Sequence, residues 1–205
     1  MNKVKISFLT LLAAAAAIVA AKSIFFDKTT LNTVAQQQSI CKTAREGDLL
    51  LRLGQGLWSE LFRKKSPEVQ EFSHAGIIKW EGGKVFVIHA EANSLTGHGF
   101  VRKDSLESYL NEAVSWAVYR LKGSAQENEA LAKNAESLLG TPFNWRFDMA
   151  DTTTLYCTQL VYVADLISGR KLPFRKHNNI LPIDSFQSPA VADLVVRSSQ
   201  PKLKP

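Results

Sequence analysis

Cysteine and histidine are the two residue types in this chain that could share nucleophilic chemistry, and both are scarce. The cysteines are Cys41 and Cys157; the histidines are His74, His89, His98 and His177. Cys157 opens a stretch in which Leu160, Val161, Ala164 and Ile167 recur at helical spacing, and Gly169 closes it. Asp151 to Tyr156, just before it, supply hydroxyls and a carboxylate for capping. A thiol at a helix N-terminus faces unpaired N–H groups and about half a positive charge. It is therefore expected to ionise more readily and to act as a nucleophile. The same N–H groups could hold the oxyanion formed when it attacks a carbonyl.

A base for that thiol is expected from a β-hairpin. The runs Ser73 to Trp80 and Lys84 to Glu91 are rich in β-branched and aromatic residues and flank Glu81-Gly82-Gly83. Gly82-Gly83 suits a two-residue turn, because both positions can take positive φ. His74 begins the first strand beside Ser73, Ala75 and Gly76, whose small side chains leave room around the ring. Alternation puts His89 and Glu91 on one face of the second strand. With Glu81 opposite Lys84, His74 opposes Glu91 and lies diagonal to His89. With Trp80 opposite Gly83, His74 opposes His89. An odd loop would send His74 to the other face. Either even pairing assembles a nucleophile, Cys157, a base, His74, and an orienting residue, His89 or Glu91. His74, His89 and Cys157 are also zinc-binding types, but the helix-borne thiol favours nucleophilic chemistry, and no metal or cofactor is expected. His98 and His177 fall in loop-like stretches and receive no role. Trp58, Phe62 and Trp145 are candidates to line a pocket, although aromatic residues so placed are more often core.

The elements that must position these groups are legible in outline. After the turn Glu46-Gly47-Asp48, Leu49 to Leu53 reads as a buried strand, and Leu57 to Phe62 as a short helix. Arg63 to Ser66 is a basic exposed loop, and Asn93 to Gly99 a polar one. Val114 to Leu121 is a strand. Ala125 to Leu139 is a helix that Gly140 stops before Pro142. Strands and helices without a βαβ rhythm predict an α+β domain with an antiparallel sheet.

The length of 205 residues suits one domain with an appendage, and 45% hydrophobic with 21% charged residues is ordinary for a folded chain. The net charge of +6 suits anionic membrane surfaces or wall polymers, or simply a solvated basic surface. No Arg-rich stripe with interleaved aromatics is present, which argues against nucleic acid as a partner. Lys3 and Lys5 precede an apolar run from Ile6 to Ala21, as in a secretory signal. That run is shorter than the ~20 residues of a spanning helix, yet Ile24 to Phe26 could extend it past Lys22 into a membrane anchor. Either reading exports the remainder, to the periplasm or to its face of the inner membrane. Residues 1–26 are thus read as signal or anchor, 27–44 as an aperiodic polar tether, 45–195 as the domain and 196–205 as a frayed tail. Export and an even cysteine count make a Cys41–Cys157 disulfide the alternative to a free reactive thiol. The role of Cys41 is open.

Five motifs occur in a telling order: Gly47-Asp48-Leu49 with Gly54 and Gly56, then Ser73-His74-Ala75-Gly76-Ile77, then Val87-Ile88-His89-Ala90-Glu91. Gly140-Thr141-Pro142-Phe143-Asn144 and Tyr156-Cys157-Thr158-Gln159-Leu160-Val161 come after them. The ordered set resembles the circularly permuted papain-like amidases of the YiiX/YebB type, relatives of the NlpC-type cell-wall peptidases and of lecithin retinol acyltransferase. The likeness covers residues 45 to 195, including Leu181-Pro182 through Ser188-Pro189. It implies a permuted papain-like α+β fold in which the histidine strand precedes the nucleophile helix. It also implies Cys157 as nucleophile, His74 as base, and His89, with Glu91 as the alternative, as the third residue. The implied activity is hydrolysis of an amide or ester bond in a peptide, wall fragment or lipid. Acyl transfer to lipid, or binding without catalysis, are the alternatives. Two departures stand out: Thr158-Gln159 where the family often has Ser-Glu, and Asn144 where it often has Asp.

Overall fold

The computed structural model describes residues 34–93, 98–111 and 113–198, and for 56–58 the backbone alone. The signal or anchor region lies outside the described residues. So do the first part of the tether, 199–205 of the tail and the side chain of Trp58. Among the described residues no helix is long and apolar enough to cross a membrane.

Residues 34–43 form a helix, α1, where the sequence pattern predicts an aperiodic tether, and Gly56–Arg63 form α2 over the short helix expected at Leu57 to Phe62. Contacts divide the chain between Gln38 and Ser39, and the sheet and its helices belong to the unit from Ser39 onward. Ile40, fully buried, and Ala44 anchor the first residues of that unit in a hydrophobic cluster. Two apolar side chains in a polar stretch carry no period, so nothing local announces their burial.

Six antiparallel strands form one sheet in the order β4-β3-β2-β1-β5-β6. They are β1 (Leu49–Leu53), β2 (His74–Glu81), β3 (Lys84–Ala92), β4 (Gly99–Ser105), β5 (Ser115–Leu121) and β6 (Ala192–Arg197). The unbroken Leu49-Leu50-Leu51 run reflects burial on both faces of β1. Leu49 and Leu51 pack with Ala75, Ile77, Ile88 and Ala90 under helices α4 (Ala125–Ser137) and α5 (Cys157–Ile167). Leu50 packs on the other face with Ile78, Val87 and Val118, beneath Leu106, Tyr109 and Leu110 of α3 (Leu106–Leu110). Each such leucine is worth about 1.5–3 kcal/mol relative to exposure.

The β2–β3 turn is the expected two-residue one, with Gly82 at φ 56° and Gly83 at φ 75°, and Glu81 pairs with Lys84. α4 begins at a capping box between Ser124 and Glu127. β4 and α3 arise where the pattern predicts no regular element. Gly-Phe-Val-Arg-Lys-Asp-Ser has little apolar content, and pairing with β3 supplies what propensity does not. β6 runs on to Arg197, two residues into the stretch expected to fray.

Candidate active site

Cys157 is the first residue of α5, as its period requires, and its thiol is free, as is that of Cys41. The start of α5 is braced by buried amides. Gln159 donates to the carbonyls of Asp151 at 2.6 Å and Asp148 at 3.2 Å, and accepts from Asn144 at 2.9 Å. Asn144 and Gln159 stand where the resemblance implies carboxylates. Both are buried and bonded to one another, so the change is one of packing at the foot of the helix. Thr158 donates to the Leu181 carbonyl at 2.6 Å, and Tyr156 Oη accepts from Leu181 N–H at 2.9 Å. These two bonds fix residues 180–183 beside the thiol.

His74, the first residue of β2, lines the same cleft as Cys157. Its Nε2 lies 2.9 Å from Nδ1 of His89, and Nε2 of His89 lies 3.2 Å from Oδ2 of Asp104. Asp104 accepts from Arg102 Nε at 2.9 Å. The observed register carries these groups on one face: His89 pairs with Arg102 and Val87 with Asp104. Gly76 keeps the space open, since a Cβ there would lie 2.4 Å from Val87 and 3.3 Å from the His89 Cβ. Of the two candidates for the third position, His89 is the one in hydrogen-bond contact with His74. Glu91 Oε1 pairs with the buried Arg52, and its other oxygen stays 3.8 Å from His89 Nδ1. Arg52 also donates to the Tyr109 carbonyl at 2.6 Å and lies 4.6 Å over the Tyr109 ring.

With both imidazoles neutral, the hydrogen-bond chain admits one arrangement of protons. Bonds from His89 and Arg102 hold the Asp104 carboxyl well below the usual carboxylate range, so it accepts from His89 Nε2–H. The Nδ1 of His89 then accepts from Nε2–H of His74, and Nδ1 of His74 keeps a lone pair. Burial first, then the charge of Arg52, pushes the His74 imidazole well below its ordinary value. Burial pushes the Cys157 thiol up to about 11; Glu91 adds to this, while the N–H groups of Ala75, Thr158 and Cys157 oppose it. A helix N-terminus alone predicts a thiol that ionises readily. Here desolvation exceeds it, and the pair rests as neutral thiol and neutral imidazole.

The cleft has a volume of ≈ 290 Å³. Arg52, His74, Glu91 and Cys157 line it together with Phe62, Phe143, Trp145 and Phe147. These rings touch in sequence: Phe62 to Phe147 at 5.0 Å, Phe147 to Phe143 at 6.0 Å and Phe143 to Trp145 at 5.0 Å. Phe62 and Trp145 thus take the pocket positions expected of them. Phe147, at φ 54°, holds a left-handed conformation rare for a bulky side chain. His98 and His177 do not line the cleft. Sequence reasoning missed Asp104, Arg52 and, among the lining rings, Phe143 and Phe147. A buried arginine in a leucine run was the one available signal, and it named no partner.

The sequence profile of the permuted papain-like amidase enzymes of the YaeF/YiiX type, the C92 family, matches residues 43–172. The chain belongs to this family. Among solved structures it is similar to that of the metalloprotein yiiX from Escherichia coli O157:H7. The match has a TM-score of 0.61 and 15% identity, and it covers 76% of this chain and 98% of the other. At that identity the likeness speaks for the fold, a circularly permuted papain-like one with the histidine strand ahead of the nucleophile helix. No curated protein matches the sequence.

Proposed function

We propose that this family member is a thiol-dependent amide or ester hydrolase with Cys157 as nucleophile and His74 as base. One observation carries the reading: a proton-ordered chain, His74–His89–Asp104, ends at a cleft that also holds a thiol on a helix N-terminus. The Cys157 sulfur attacks the substrate carbonyl carbon as its proton passes to Nδ1 of His74. The helix N-terminus, beginning with the Cys157 N–H, stabilises the tetrahedral oxyanion. Collapse breaks the bond to the amine or alcohol, which leaves with the proton from His74, and a thioester remains. Water then attacks the thioester with His74 again as base, and the acid departs. His89 and Asp104 stabilise the imidazolium in each half. Because the resting pair is neutral, proton transfer accompanies attack. A cleft with several aromatic rings in its lining suits a peptide, wall fragment or lipid acyl group, and the Lys3, Lys5 and Ile6–Ala21 pattern supports an exported or membrane-anchored setting.

That the similar yiiX structure is described as a metalloprotein raises a second reading, hydrolysis by a metal-held water. His74, His89 and Glu91 would be the ligands here, since one donor atom from each lies within 4.8 Å of the others. An ion there would supply Lewis-acid chemistry, and Cys157 would be a bystander.

Labelling with a fluorescent thiol-directed probe over about pH 5 to 9 tests the first reading. Labelling at position 157 should vanish in Cys157→Ala, leaving only that of the exposed Cys41. In His74→Ala it should be slow near neutrality and climb about tenfold per pH unit, as for a thiol far below its pKa. Wild-type labelling at an ordinary thiol's rate, unaffected by His74→Ala, would refute it. Hydrolysis that survives in Cys157→Ala but stops on chelation would establish the second reading. Product analysis with an added amine or alcohol acceptor separates transfer from hydrolysis.

A further inference from the structure

The donors around the paired histidines also have the spacing of an ion site. His74 Nε2 and His89 Nδ1 are 2.9 Å apart, and Glu91 Oε2 is 3.8 Å from His89 Nδ1. A tetrahedral Zn²⁺ with bonds of about 2.0–2.1 Å holds its ligands about 3.3 Å from each other. Small side-chain adjustments therefore close the three donors around one ion. We propose that Zn²⁺ binds through His74 Nε2, His89 Nδ1 and Glu91 Oε2 and, in doing so, switches the thiol chemistry off. The inhibitory half of this inference rests on the Cys157–His74 reading above; the binding half does not.

Features beyond proximity support an ion. Asp104 accepts from the far nitrogen of His89 at 3.2 Å, the carboxylate–histidine arrangement that orients metal-binding imidazoles. Glu91 gives Oε1 to Arg52 and keeps Oε2 toward His89, so the guanidinium steadies the carboxylate without using the oxygen an ion needs. Arg52 and Arg102 oppose a dication, but Glu91 and Asp104 balance their charge. His74 and Glu91 both line the cleft, which leaves the fourth coordination position open to it.

Inhibition follows from the lone pairs. In the hydrogen-bonded chain His74 donates through Nε2 and keeps the Nδ1 lone pair for the thiol proton. An ion on Nε2 takes the lone pair there, so the ring proton moves to Nδ1. The base is then occupied. Ion binding and proton transfer compete for one imidazole, with no change in the number of protons on it.

The full chain, freed of metal with a chelator, would be titrated with ZnCl₂ by calorimetry while iodoacetamide labelling of Cys157 is followed. One Zn²⁺ per chain is expected, bound equally by Cys157→Ala and at least roughly tenfold more weakly by Glu91→Gln. Zinc should slow wild-type labelling at least roughly tenfold, and EDTA should restore it. Co²⁺ on the unmutated chain should give visible ligand-field bands without a thiolate charge-transfer band, a readout independent of how any variant folds. Absence of stoichiometric binding would overturn the proposal. So would binding lost in Cys157→Ala, a thiolate band, or hydrolysis that rises with zinc. A Cys157 inert in the metal-free chain would remove the hydrolase reading and the inhibitory half together, while calorimetry would still decide the ion site.

Discussion

Replacing Asp104 with Asn should slow the thiol chemistry about 5- to 30-fold while leaving the fold intact. Asp104 touches neither Cys157 nor His74; it acts through His89. The 3.2 Å and 2.9 Å hydrogen bonds, with the width of one imidazole between them, put its charge roughly 8 Å from His74, worth about 2 kcal/mol to an imidazolium at an effective dielectric of about 20. The 2.9 Å bond from Arg102 cancels part of that, leaving about 1 kcal/mol. The amide can also turn its NH2 toward His89, which then carries its proton on Nδ1, where it would confront Nε2–H of His74. That costs about 1 kcal/mol more, near the net worth of a hydrogen bond. A total of about 1–2 kcal/mol is about 5- to 30-fold in rate. A group that orients the base directly, as in a serine protease triad, is worth about 10⁴-fold, and Asp104 should fall well short of that. The assay is the second-order rate of Cys157 alkylation near neutral pH, beside nitrogen NMR of the imidazole tautomers. The tautomer readout separates positioning from general loosening. Alkylation within twofold of wild type, with unchanged imidazole nitrogens, would refute the role. Asp104 also predicts an acid limb in stability. Its folded-state pKa is depressed, so its contribution is complete above the unfolded value of about 3.9 and is lost as pH falls below it. Asp104→Asn should flatten that limb in thermal melts.

Two further substitutions test the framing of the site. Gly76→Ala would set a Cβ 2.4 Å from Val87 Cγ1 and 3.3 Å from the His89 Cβ. It should cost about 1–3 kcal/mol and slow alkylation by displacing His89; unchanged melting and labelling would count against the packing described. Gln159→Ala removes the brace of Asn144, Asp148 and Asp151 at the start of α5. It should cost about 2–4 kcal/mol and lower Tm by roughly 4–16 °C, and an unaltered Tm would show that the amide network is dispensable.

The nucleophile helix and the histidine hairpin were legible because their signals are local. Helical spacing after Cys157, Gly169 beyond it and Gly82-Gly83 between two β-branched runs each act within a few residues. Two features of the site are not local. Whether His89 or Glu91 meets His74 depends on β1, from which Arg52 reaches across and claims Glu91. Asp104 stands on a strand whose sequence scarcely favours extension and which forms because β3 offers it an edge.

By itself, then, the sequence singled out Cys157 at the start of a helix and His74 on a two-residue-turn hairpin, since short-range periodicity and turn chemistry specify them, and it left the register of that hairpin to the structure. It also specified the family, through motifs kept in order. Only the tertiary structure decided the protonation and extent of the site. Burial is a property of the assembled core, and it reversed the ionisation that a helix N-terminus alone would have given Cys157. The aromatic wall likewise joins Phe62 to Phe143 and Phe147 across chain separations that no local pattern spans.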